Sequence, residues 1–269
     1  KEITMNAVLK YETRAQKANS LVSVGLDPDL EKLPEAFTSQ KFPQFEFNKY
    51  IIDQTAEFTA AYKPNMASYE GAGAQGMLEL EMTVNYLEKA FPDILTICDA
   101  KRADIGYSSE LYARAILDTL GFDAITLHPY LGKDGLQPFL SRKDKASIIL
   151  CRTSNPGAGE LQDVESNGKK MWQIVAEKVA GGWNENGNCM LVVGATYPEE
   201  MAVIRKIVGD MTLLVPGVGT QGGSVEAVMK AGKNSKGLGL IVNSTKAIIF
   251  SDSPAREAKA LRDEINRYR

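Results

Sequence analysis

The sequence predicts a (β/α)8 barrel, and three observations lead there. Short β-branched and apolar runs recur along the chain, each is followed by a polar turn and a longer stretch with helical spacing, and eight such units fit into 269 residues. Eight alternating units in a chain of this length favour a closed parallel sheet with right-handed crossovers and helices outside. No linker, internal repeat or low-complexity tract interrupts the series, so one domain over 1–269 is expected, with a doubly wound sheet as the second choice.

The strands are expected, in order, at 21–26, 60–64, 95–100, 124–128, 147–151, 190–194, 212–215 and 238–242, each a short apolar run rich in Val, Ile, Leu or Thr. Helical spacing falls between and after them at 48–58, 78–90, 108–120, 171–183, 199–208, 225–231 and 254–269. The longest stretch without periodicity, 153–168, is rich in Gly, Asn, Ser and acidic residues. A loop of that length in a compact domain is usually functional or mobile, so it is read as a candidate lid.

Composition narrows the class of partner. With 44% hydrophobic and 24% charged residues the chain can bury a large core, and a formal charge of -3 gives no general attraction for nucleic acid or anionic lipid. Cys98, Cys151 and Cys189 are far apart, odd in number and set in apolar runs, which fits reduced buried thiols and a cytoplasmic protein better than a disulfide frame or metal knuckle. Neither the apolar core of a signal peptide nor a run of about 20 apolar residues is present, so no membrane association is expected.

In a barrel the carboxyl ends of the strands face the active site, and alternate residues point inward. That parity places Gly25 with Asp27, Lys63 with Asn65, and Asp99 with Lys101 at the ends of the first three strands. Any one of these charges fits a salt bridge at the barrel mouth about as well as a site; three consecutive charged strand ends favour a site.

The stretch DAKRADIG at 99–106 is the most specific in the chain. Its Asp99, Lys101 and Asp104 form a D-x-K-x-x-D pattern that resembles the orotidine 5′-phosphate decarboxylase superfamily. GLDPD at 25–29, YKPN at 62–65, RTSNP at 152–156, PGVGTQGG at 216–223 and NSTKAI at 243–248 resemble that family's first, second, fifth, seventh and eighth strand ends, in the same order. The resemblance implies a homodimer with shared active sites that decarboxylates a nucleotide without metal or organic cofactor. It implies a charged tetrad of Lys63, Asp99, Lys101 and Asp104, the last entering from the other subunit. Asp27 would bind ribose hydroxyls, Ser154 would read the pyrimidine, and Asn65 and Ser108 would line the substrate site. Gly217, Gly219, Gly222, Asn243 and Lys246 would hold the phosphate, with Gln221 closing over it.

The chemistry is consistent with those roles. Loss of CO2 from a pyrimidine leaves a carbanion at C6, which needs a cation and a proton donor beside it, and Lys101 is both. Asp99 holds that ammonium in place, and Lys63 keeps Asp99 ionised. The glycine-rich 216–223 stretch presents backbone N–H groups at a helix start, and the loops after the seventh and eighth strands are where barrels commonly bind phosphate. Lys246 departs from the family, which usually carries arginine there, so a planar fork gives way to a point charge. His128, the only histidine, is expected to be hydrogen-bonded at the barrel mouth and to serve no base.

Three other readings fit less well. A Mg2+-dependent enediolate enzyme of the same superfamily needs a carboxylate on strand two, where Lys63 stands and cannot ligate. A Schiff-base aldolase needs a neutral lysine, and neighbouring carboxylates keep Lys63 and Lys101 protonated. A barrel that merely binds phosphometabolites has no use for clustered like charges.

Overall fold

The computed structural model describes residues 6–218 and 223–269. Eight strands form a closed barrel: β1 (Val22–Leu26), β2 (Ala61–Pro64), β3 (Leu95–Arg102), β4 (Ala124–Leu127), β5 (Ala146–Arg152), β6 (Cys189–Val193), β7 (Leu213–Pro216) and β8 (Leu240–Ser244). Each pairs in parallel with its sequence neighbours, and β8 closes on β1 through Val22↔Val242 and Ser23↔Asn243. Strands in such a barrel face the lumen on one side and the helices on the other. They are therefore buried almost end to end, which is why they read as continuous apolar runs.

The outer layer contains α1 (Ala7–Lys17), α2 (Pro43–Thr55), α3 (Gly73–Ala90), α4 (Gly106–Ala113), α5 (Gly132–Leu140), α6 (Met171–Lys178), α7 (Pro198–Val208), α8 (Val225–Gly232), the single turn α9 (Lys246–Ile249) and α10 (Pro254–Asn266). Strand bounds differ from the sequence expectation by at most two residues. Three of these helices, α1, α5 and the single turn α9, were not expected. The periodicity of α5 is masked by Gly135 and Pro138 inside it; α1 is mostly polar, burying only Ala7, Tyr11 and Ala15, four residues apart. Helix α1 lies across the end of the barrel opposite the charged strand ends. There the Tyr11 hydroxyl donates to the Leu240 carbonyl and Lys10 pairs with Asp123 at 2.7 Å.

The segment 153–168 is not structureless. It holds a 3-10 turn (Pro156–Ala158), a helical turn (Gly159–Gln162) and one strand of a small hairpin, Glu165–Ser166 against Lys169–Lys170.

Candidate active site

Lys63 is the residue before the last of β2, and its side chain is only 5% exposed. An ammonium so far from water stays charged only beside an anion. Its Nζ donates to Asp99 Oδ2 at 2.8 Å. Burial works against the charge, but Asp99 and Asp27 outweigh it and hold Lys63 above the ordinary lysine value.

Asp99 also accepts from Lys101 Nζ at 2.6 Å and from the Thr126 hydroxyl at 2.9 Å, both on Oδ1. Burial pushes its pKa up, yet the two ammonium groups overcome burial and hold it well below the usual carboxylate range. The result is a carboxylate whose ionised form is strongly favoured, held between two lysine side chains. Lys63 is the enclosed cation; Lys101, 52% exposed, is the one that a ligand at the mouth can touch.

The ends of the first three strands are stitched together. Asp27, just past β1, accepts the Asn65 backbone N–H at 3.1 Å, and Asn65 forms a parallel bridge to Asp99. Burial raises the Asp27 pKa, Lys63 pulls it back, and the Asp99 charge pushes it up again; the net shift is upward. The Asn65 side-chain oxygen caps the short helix Met66–Glu70 by accepting from Ala67 N–H at 3.2 Å.

Asp104 does not join this cluster. Its carboxylate accepts from the adjacent Ile105 N–H, and among the described residues it makes no ion pair. One chain thus unites three of the four expected tetrad members. Ser108 is exposed on the first turn of α4.

Across the mouth, Ser154 lies just past β5 and Gly194 directly after β6. A side chain at Gly194 would bring its Cβ to 2.9 Å from that of Ser154, so glycine is what lets the two strand ends approach. Gly217, directly after β7, has φ +93 and is buried, and Gly223 closes the loop by bridging to Val218. Gly219, Gln221 and Gly222 lie outside the described residues. Asn243 is buried; it accepts from Ser23 Oγ at 3.0 Å and donates to Thr245 Oγ1 at 3.4 Å, so its amide orders the end of β8. Lys246 is exposed at the first position of α9. His128 sits as expected, its Nε2 3.3 Å from the Ala103 carbonyl oxygen.

Two residues with no role assigned from the sequence hold the site together. Thr126 touches both Asp99 and Lys101. Arg152, at the end of β5, is buried with its guanidinium 4.0 Å from the Tyr197 ring centroid and 3.2 Å from Asp163, while Gln162 accepts from Thr153 N–H at 2.9 Å. A threonine in a strand reads as an ordinary β-former, and an arginine at a strand end reads as a surface charge. Thr126 carried no signal beyond its position beside the charged ends, and Arg152 stood out only as the first residue of the RTSNP motif.

A closed parallel barrel whose first strand ends fix one carboxylate between two ammonium groups has the architecture of a barrel enzyme, with the charged cluster at the face where such enzymes carry their sites. The chain belongs to the orotidine 5′-phosphate decarboxylase / HUMPS family, which it matches over residues 20–261. It is similar to the orotidine 5′-phosphate decarboxylase of Ralstonia pickettii, 44% identical over 261 residues that span 94% of this chain and 96% of that one. It is also similar to the Flavobacterium johnsoniae protein of the same name, 47% identical over 254 residues, 94% of this chain and 92% of that one. Among solved structures it resembles Leishmania donovani OMP decarboxylase, with a TM-score of 0.88 and 36% identity over 98% of this chain and 99% of the other. The chain is an enzyme of that carboxy-lyase class.

Proposed function

We propose that this chain converts orotidine 5′-phosphate to uridine 5′-phosphate and CO2, the last step of de novo pyrimidine nucleotide synthesis, with neither metal nor organic cofactor. The Lys63–Asp99–Lys101 triplet carries this reading. With the substrate carboxylate beside Asp99, the bond from C6 to the carboxyl carbon breaks, CO2 leaves, and the electron pair remains on C6. The Lys101 ammonium stabilises that pair and transfers a proton to it, later regaining one from water. The charges are already in place before the reaction, so little reorganisation is needed as the carbanion forms.

Asp27 binds the ribose hydroxyls, with Asn65 and Ser108 beside them, and Ser154 reads the pyrimidine. Gly217, Gly219, Gly222, Asn243 and Lys246 hold the phosphate, with Gln221 closing over it. The working unit is a homodimer in which Asp104 of each chain completes the other's site. Two features favour that arrangement: Asp104 pairs with no cation among the described residues of its own chain, and it is followed by the exposed apolar side chains Ile105, Tyr107, Leu111 and Tyr112. The buried thiols Cys98, Cys151 and Cys189, none in a disulfide, suit a reducing cytoplasm.

An ultraviolet assay of orotidine 5′-phosphate loss, run with and without EDTA, tests reaction and metal together. Turnover that survives chelation is expected; activity abolished by EDTA and restored by Mg2+ would overturn the cofactor-free mechanism. No turnover under either condition would sink the decarboxylase reading itself.

A further inference from the structure

Thr126 is buried on β4 and makes two of the contacts that shape the charged triplet. Strands β3 and β4 are in register at Cys98↔Ile125 and again at Arg102↔Leu127. Between those pairs β3 passes through Asp99, Ala100 and Lys101, whereas β4 passes only through Thr126. The extra residues form a bulge, a device that re-aims side chains and breaks ladder pairing. At its end Lys101 has φ +48, a left-handed conformation that a long side chain keeps only when neighbours hold it there.

The neighbour is the Thr126 hydroxyl. Its oxygen accepts the Lys101 backbone N–H at 3.0 Å. Because that N–H can only donate and an ionised carboxylate can only accept, the single hydroxyl proton points at Asp99 Oδ1, 2.9 Å away. The same Oδ1 accepts the Lys101 ammonium at 2.6 Å. One hydroxyl therefore fixes Lys101 at both ends, its backbone directly and its charged tip through Asp99.

We propose that Thr126 is a positioning residue that sets where the Lys101 ammonium stands relative to the reacting carbon. This rests on the decarboxylase reading, in which Lys101 works on the substrate. Without the hydroxyl, the Lys101 N–H loses its acceptor, the bulge relaxes, and Asp99 Oδ1 is left with the mobile ammonium alone. The substrate's ribose, phosphate and base are held by other strand ends, so binding is not expected to follow.

The test compares the parent dimer with Thr126→Val, which keeps the branched shape and removes the hydroxyl, and Thr126→Ser, which restores it. Turnover of orotidine 5′-phosphate, the Kd for uridine 5′-phosphate and Tm are measured for each. Thr126→Val should lower kcat by on the order of 100-fold, the effect of an ångström-scale misplacement. KM, product Kd and Tm should stay close to parent, and Thr126→Ser should return kcat to within about tenfold of parent. A Val variant with parental kcat overturns the proposal. So does a loss of kcat matched by equal losses of product binding and Tm, since that is a packing role, and so does a Ser variant as slow as Val. Where Thr126→Val does not fold, Thr126→Cys, a weak donor of similar size, gives the same comparison. An inactive parent sinks the decarboxylase reading and this role with it; an active parent with a fast Val variant sinks only this role.

Discussion

Asp27 and Asp99 both interact with the Lys63 charge, yet their acidities move in opposite directions. Asp99 touches two ammonium groups and a hydroxyl, so its charge is favoured in spite of burial. Asp27 accepts a single backbone N–H, and burial together with the Asp99 charge keeps its pKa above the usual value even though Lys63 opposes them. A proton therefore stays on Asp27 at a pH where an exposed aspartate, with a pKa of about 3.9, has already lost its own. Ribose hydroxyls need an acceptor, so kcat/KM should fall as pH drops through the raised Asp27 pKa, giving an acid limb at higher pH than an exposed aspartate would give. The stability consequence has the opposite sign. A raised folded-state pKa contributes stability that is present below the unfolded value and lost as pH rises through the folded one, so at neutral pH ionised Asp27 strains the fold. Asp27→Asn should remove the acid limb, weaken substrate binding, and raise Tm at pH 7 by on the order of 2–4 °C. A pH profile with the same limb in the Asn variant would assign that limb to another group.

Strands and helices were unequally legible. The parity rule found Asp27, Lys63, Asp99 and Lys101 because a strand's period of two survives in any continuous β run, and the first three strand ends meet as that rule requires. What parity cannot register is a bulge: Thr126 and the left-handed Lys101 follow from a shift between two strands, which neither strand encodes alone. Helix α5 was illegible because Gly135 and Pro138 interrupt its pattern. The 153–168 segment read as a bare loop because its order comes from side-chain contacts that leave no period in the sequence. Arg152 ties it down by stacking on Tyr197 and pairing with Asp163, while Gln162 folds back on Thr153. Asp163 is about one-third exposed and also pairs with Lys170 at 3.3 Å, so loss of Arg152 leaves it partly compensated. Arg152→Met should then cost about 1–3 kcal/mol rather than the larger penalty of a fully stranded charge. The local effect should be larger than the global one. Amide exchange across 153–163 should quicken and KM should rise, since Ser154 sits in that segment, with kcat less affected. Exchange as slow as in the parent would show that the segment is ordered without Arg152.

Assembly decides whether the fourth member of the tetrad takes part. Asp99 and Lys101 lie within β3, whereas Asp104 lies beyond its end, its carboxylate accepting from the next backbone N–H and, among the described residues, forming no ion pair, and it leads into a stretch with exposed Ile105 and Tyr107. A two-fold dimer that buries this face would exchange the residue symmetrically, because in such an interface whatever one chain gives the other returns. The exchange has an arithmetic signature. Lys101→Ala and Asp104→Ala homodimers should each be nearly inactive, since every site lacks one group. In a mixed dimer one site collects both substitutions, while the other receives Lys101 from the Asp104 variant and Asp104 from the Lys101 variant, and is intact. Random re-pairing of equal amounts makes half the dimers mixed, each with one good site of two, so activity should recover to about one quarter of the parent. Mass or tag analysis must establish that re-pairing has occurred. Mixed dimers that are present yet no more active than either homodimer would mean that Asp104 acts within its own chain, by a movement of the 103–106 segment towards Lys101, and the shared site would have to be abandoned.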